Sequence, residues 1–132
     1  MPAESNARLT GVCIDCRDAN ELATFYADLL GWDVVATHGV NWCQLRPPDG
    51  AMGLNIQGES WYEPPTWPEQ RDKQHKMMHF EIGVTDLDAA ASRAIAAGAR
   101  EAADQPADRD QSRLRIMLDP AGHPPISRLS PT

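Results

Sequence analysis

The sequence predicts an α+β fold made of two tandem βαβββ modules. Three observations carry this reading. A strand-like stretch running into a capped amphipathic helix occurs twice, and three β-type segments follow each helix. Displaced by 68 residues, positions 11–18 lie on positions 79–86, with Val12 on Phe80, Ile14 on Ile82 and Asp18 on Asp86. Between the two units lies a stretch rich in proline and aromatic residues that suits neither helix nor strand.

The first module spans residues 7–57. Residues 9–16 read LTGVCIDC, which puts Val12, Ile14 and Cys16 on one face of a strand and Gly11, Cys13 and Asp15 on the other. Asp18 with Glu21 three residues later has the spacing of a capping box. Residues 19–30 carry Leu22, Ala23, Phe25, Tyr26, Leu29 and Leu30 at helical spacing, and Gly31 stands where a C-cap belongs. Three short strands are expected at 32–37, 40–45 and 51–57, separated by His38-Gly39 and Pro47-Pro48-Asp49-Gly50 turns.

Residues 58–76 form the connector, holding Pro64, Pro65, Pro68, Trp61, Tyr62 and Trp67. A loop of that length in a compact domain points to function or to an interface. The second module covers residues 77–130. Residues 77–84 (MMHFEIGV) place Phe80, Ile82 and Val84 on one face and His79, Glu81 and Gly83 on the other. Asp86 is the second N-cap, residues 87–97 the second helix, with Leu87, Ala90, Ala91, Ala94 and Ile95 as its stripe, and Gly98 its end. Strands are expected at 99–103, 113–118 and 125–129, with a polar loop at 104–112 and a turn at Asp119-Pro120-Ala121-Gly122.

Composition narrows the function classes. The chain has 132 residues, enough for a single domain over 1–132. Twelve Lys and Arg stand against nineteen Asp and Glu, a net charge of −7. That balance excludes a nucleic-acid backbone or an anionic membrane as main partner. No apolar run reaches the ~20 residues of a membrane span, and the first ten residues lack a secretory pattern. Three cysteines are too few and too uneven for a disulfide framework, so a cytoplasmic location is expected. Nucleophile elbow, phosphate-cradling loop and dinucleotide fingerprint are all missing from the sequence.

A family resemblance follows from three stretches taken in order: ATFYADLLGW at 23–32, HFEIGVTD at 79–86 and DPAGHP at 119–124. With these the chain resembles the vicinal oxygen chelate superfamily of glyoxalases, ring-cleaving dioxygenases and bleomycin-resistance proteins. Residues 62–68, YEPPTWP, look like those of a glyoxalase-like subgroup common in actinobacteria. The resemblance covers about residues 7–129. It implies that the two modules curl a mixed sheet around a cleft, helices outside and a metal or ligand inside. It also implies a homodimer, in some members with modules exchanged.

If the apolar strand faces pack under the helices, the opposite faces look into the cleft. These offer Cys13, Asp15, Asn55, Gln57, His79 and Glu81. Arg128 shares the face of Ile126, where it either meets an anionic ligand or pairs with a cleft carboxylate. Trp42, Trp61 and Trp67 either wall a ligand or cover the sheet. Enzymes of the superfamily hold a divalent metal such as Zn, Ni, Mn or Fe. The resemblance carries their four ligand positions onto Gly11, Gln57, His79 and Ile126, of which only His79 is a clear ligand. A non-standard set of His79, Gln57 and Glu81, with Asp15 or Cys13, is the alternative. Glu81 is then a general base, or else half of an ion pair. Cys13 and Cys16 have redox-motif spacing, but residues three apart on a strand face opposite ways, so they read as structural thiols. His123 reads as a turn contact near the mouth of the site.

Two function classes follow. One is a binder, sequestering a small molecule such as a drug in the cleft after losing the standard metal site. The other is a metal-dependent lyase, isomerase or dioxygenase built around His79 and Glu81. A third arrangement, an interaction module, would require Trp42 and Met117 to fill the cleft.

Overall fold

The computed structural model describes residues 6–105 and 113–129. The first module runs β1 (Gly11–Cys16), α1 (Ala19–Leu30), β2 (Asp33–Thr37), β3 (Trp42–Arg46) and β4 (Gly53–Gly58). The second runs β5 (Glu81–Val84), α2 (Leu87–Ala97), β6 (Arg100–Glu101), β7 (Leu114–Leu118) and β8 (Ile126–Leu129). The polar loop expected at 104–112 lies mostly outside the described residues, as does position 130.

Local chemistry sets the helix ends. Asp18 accepts hydrogen bonds from the backbone N–H groups of Asn20 (2.9 Å) and Glu21 (3.3 Å), satisfying donors that the first turn leaves free. Gly31 ends α1 in the left-handed region, φ 69°, where a side chain would be strained. Asp86 repeats the cap at α2 by accepting from the Ala89 N–H (3.1 Å).

The curved sheet expected from the resemblance is built as two four-stranded mixed sheets, one per module. Their orders are β1-β4-β3-β2 and β5-β8-β7-β6. In each, the first strand lies parallel to the last, and the remaining pairs are antiparallel. At the close of the first sheet, a Cβ on Gly58 would sit 1.9 Å from the Val40 carbonyl oxygen, so no side chain fits there.

The core lies between the first sheet and the helices. Ile14, Cys16, Leu45 and Ile56 pack against Leu22, Phe25 and Tyr26 of α1. Ala91 and Ala94 of α2 and Met117 of β7 join the same cluster, so one core serves both modules. Phe80, leading into β5, meets the Tyr26 ring edge-on at 5.6 Å. Burying a ring of this size contributes roughly 2–3 kcal/mol. No described helix is long and apolar enough to cross a membrane.

Strands β3 and β4 each begin two residues later than expected, and two elements of the second module differ more. β5 begins at Glu81 rather than at 77, because Met77 adopts a left-handed φ of 59° and the Met78 N–H turns back to the Lys76 carbonyl (2.6 Å). Extended pairing cannot run through such a turn. β6 is only two residues long.

Candidate functional site

A cavity of about 510 Å³ opens between β1, the connector, the lead into β5 and the turn after β7. Cys13 and Asp15 line it from β1, because alternation points them away from the helices. Met77, Met78, His79 and Phe80 line it from the far side, brought there by the turn that delays β5. Trp61, Tyr62 and Glu63 supply the connector wall, and His123 and Pro125 the floor. Trp61 is 92% exposed and Met77 88%, which makes an apolar lip. A hollow of about 810 Å³ at the ends of α1 and α2 contains none of the site residues expected from sequence.

Of those residues, Cys13, Asp15, Trp61 and His79 line the cavity. Gln57 stands one contact behind it, its side-chain amide donating to Glu59 (2.6 Å), which does line it. Trp42, Asn55, Trp67, Glu81 and Arg128 are elsewhere. Trp42 stands beside the His38 ring at 5.8 Å. Arg128 sits opposite Gly83 across the β5–β8 ladder, and its Nε donates to Glu81 at 3.0 Å. Glu81 and Arg128 thus form an ion pair across the ladder, outside the cavity lining. The Trp67 indole N–H donates to the Asp104 carbonyl (3.0 Å), and the Lys76 ammonium lies 5.4 Å above its ring. Met117 belongs to the helix-side core, so it does not fill the cleft.

The connector is docked by hydrogen bonds at both modules. The Tyr62 carbonyl accepts from Arg17 (3.1 Å), while the Tyr62 hydroxyl donates to the Ala121 carbonyl (2.6 Å). Trp67 adds the bond to Asp104. Lys76 in turn pairs with Glu69.

Beneath the floor lies a polar network that sequence reading missed. Asp119 is 3% exposed, the one charged side chain buried among the described residues. One carboxylate oxygen accepts the Tyr26 hydroxyl (2.6 Å); the other accepts the N–H groups of Ala121 (2.9 Å) and His123 (3.0 Å). Burial pushes its carboxyl above the usual carboxylate range, outweighing the opposing pull of His123 and the Tyr26 hydroxyl. Burial and the neighbouring Asp119 charge hold Tyr26 well above its ordinary value, so it remains a donor. The signal was present in part. A tyrosine on an otherwise apolar helix stripe needs a buried partner, and Asp-Pro-Ala-Gly is a turn whose first side chain bonds backbone two residues on.

Neither thiol of β1 sits in surroundings that favour the thiolate. Burial and Asp15 raise Cys13, and burial pushes Cys16 up to about 12. Cys13 is exposed and Cys16 buried on opposite strand faces, as alternation requires, and both are free thiols.

The donor set does not fit a divalent ion. The ladders pair Cys13 with Asn55 and Glu81 with Ile126, so Asn55, rather than Gln57, is the first sheet's counterpart of Ile126. Gly11 and Ile126 lack ligating side chains. The Asn55 Oδ1 is buried without a hydrogen-bond partner, yet an amide oxygen is a neutral ligand. Among the described residues no three His, Cys, Asp or Glu side chains stand together as a metal cluster.

Comparison with known proteins agrees with this architecture. Residues 11–125 match the family model described as a glyoxalase-like domain. No curated protein matches the chain. A glyoxalase/bleomycin resistance protein from Albidiferax ferrireducens T118 is 20% identical, with a TM-score of 0.63 over 92% of this chain and 98% of that one. The fosfomycin resistance protein FosX from Listeria monocytogenes is 13% identical, with a TM-score of 0.66 over 97% and 94%. TnmS3, an antibiotic binding protein from Streptomyces sp. CB03234, is 19% identical, with a TM-score of 0.59 over 96% and 98%. At these identities the likeness is one of fold.

Proposed function

The chain belongs to the glyoxalase-like family, and from that premise we propose that it is a metal-independent binder of a small molecule. The ligand is held in the cavity between β1, the connector and the lead into β5. The observation carrying this reading is the lining itself. Apolar Trp61, Met77 and Met78, with Phe80 behind them, line one space with the polar groups Asp15, Glu59, Glu63, Lys76, His79 and His123. Ion-holding chemistry has no donor set at the four positions that the family uses, and Glu81 is occupied by Arg128. Among the fold neighbours, TnmS3 is an antibiotic binding protein and FosX a fosfomycin resistance protein, which supports drug sequestration as a biological role. The expected state is a homodimer in the cytoplasm.

The test is a small-molecule screen read by tryptophan fluorescence, with and without a chelator, in wild type and Trp61→Phe. Elemental analysis of untagged protein accompanies it. The expected result is chelator-insensitive binding whose signal falls in Trp61→Phe. A near-stoichiometric metal that is lost in His79→Ala, together with chelator-sensitive binding, would overturn the proposal and favour a metal-dependent lyase or dioxygenase.

A further inference from the structure

His123 is held more tightly than a turn residue needs to be. Its backbone N–H donates to the buried Asp119 carboxylate (3.0 Å), and its carbonyl accepts the Asp119 N–H (2.9 Å). Its Nε2 lies 2.7 Å from the Asp15 carbonyl oxygen and 3.4 Å from the Tyr62 hydroxyl. A carbonyl oxygen only accepts, so Nε2 carries a proton. The Tyr62 hydroxyl spends its own proton on the Ala121 carbonyl, leaving its oxygen free to share the Nε2–H. Three of the four polar groups of His123 are thus committed. The fourth, Nδ1, has no partner among the described residues. In the neutral ring it bears a lone pair. His123 lines the cavity.

We infer that His123 is the ligand-recognition residue of the cavity, with Nε2 anchored to β1 and Nδ1 offered as acceptor to a ligand O–H. The inference rests on reading the cavity as a binding site. The chemistry of the lining narrows the class. Asp15, Glu59 and Glu63 line the space, and its one lysine, Lys76, is already paired with Glu69, so the lining favours a neutral ligand over an anion. Trp61, Met77, Met78 and Phe80 favour an apolar ring. A neutral phenol satisfies both demands: the ring packs on the lip and the hydroxyl donates to Nδ1. Asp119 acts here as a positioning residue, because it fixes the backbone from which the imidazole reaches across to β1.

The first measurement needs no ligand. Long-range ¹H–¹⁵N spectra of the neutral His123 ring should show a pyridine-type Nδ1 and a pyrrole-type Nε2. The reverse assignment overturns the inference. The second measurement titrates 4-methylphenol, with its methyl ether as the isosteric probe that cannot donate. The phenol should move the His123 Nδ1 resonance and bind about tenfold more tightly than the ether, the value of one hydrogen bond. His123→Phe should abolish that preference. If this variant does not fold, the wild-type Nδ1 response decides. Phenol binding, seen at the Trp61 indole resonance, with Nδ1 unmoved overturns the role of His123 and leaves the cavity's binding function standing. Failure of both probes to bind overturns the phenol assignment, and the broader screen then judges the cavity itself.

Discussion

The two modules share one strand order but are held together differently. In the first, β1 and β4 pair from Gly11↔Gly53 through Cys16↔Gly58, and Ile14, Cys16, Leu45 and Ile56 are all buried under α1. In the second, the parallel ladder runs only from Glu81↔Ile126 to Val84↔Leu129, and Ile82, Val84 and all of β8 are half-buried. Helix α1 buries Phe25 and Tyr26, whereas α2 buries only Leu87 and two alanines. The second module compensates with polar ties: Asp119 to Tyr26, and His123 to β1. Topology can therefore be repeated while the work is divided. The first module supplies apolar scaffold, and the second gives up ladder length so that residues 77–80 can line a cavity.

The sharpest way to break this contrast is Asp119→Ala. It strands the Tyr26 hydroxyl and two backbone N–H groups in a buried site, so a loss of about 3–5 kcal/mol is expected in urea unfolding. A loss below about 1 kcal/mol would mean that the second module does not depend on its polar tie. Gly58→Ala probes the scaffold side. The added methyl would sit 1.9 Å from the Val40 carbonyl oxygen, so backbone must shift, and a loss of about 3 kcal/mol is expected in urea unfolding; a loss below about 1 kcal/mol would show that the scaffold relaxes freely there.

A smaller effect is expected in pH dependence. The Asp119 carboxyl is raised in the folded state, chiefly by burial. Its contribution is therefore fully present below the unfolded carboxyl's range and is lost as pH rises through the higher folded value. Between those limits wild type should lose stability relative to Asp119→Asn as pH rises. Parallel curves for the two proteins would show that Asp119 does not titrate differently on folding. The smallest effect belongs to the Glu81–Arg128 pair, which is about half exposed on both sides. Arg128→Ala should cost at most about 1 kcal/mol and leave ligand affinity unchanged. A large affinity loss would restore Arg128 as a ligand contact.

Much of the scaffold was legible because it depends on neighbours in sequence. Alternation placed Cys13 and Asp15 opposite Ile14 and Cys16, and the Asp18 and Asp86 caps needed only spacing. The partnership of Glu81 with Arg128 was readable as one of two options, since shared strand faces bring them close. The site was less legible. His79 reaches the cavity through a left-handed Met77 that no periodicity announces. Tyr62 and His123 meet across 61 residues of sequence, and Asp119 reaches Tyr26 across 93. Such contacts are set by how the modules close, which a single chain's pattern does not encode locally.

The docking of the connector bears on how the cavity can change over generations. Tyr62 and Trp67 donate to the main-chain carbonyls of Ala121 and Asp104, not to their side chains. A carbonyl is present whatever residue occupies those positions, so mutation there leaves the attachment intact. The side chains this attachment constrains are the donors, Tyr62, Trp67 and Arg17. Connector positions that make none of these contacts, such as the exposed Glu63, can therefore change and reshape the wall, and the same scaffold can acquire new ligands without first losing the segment that encloses them.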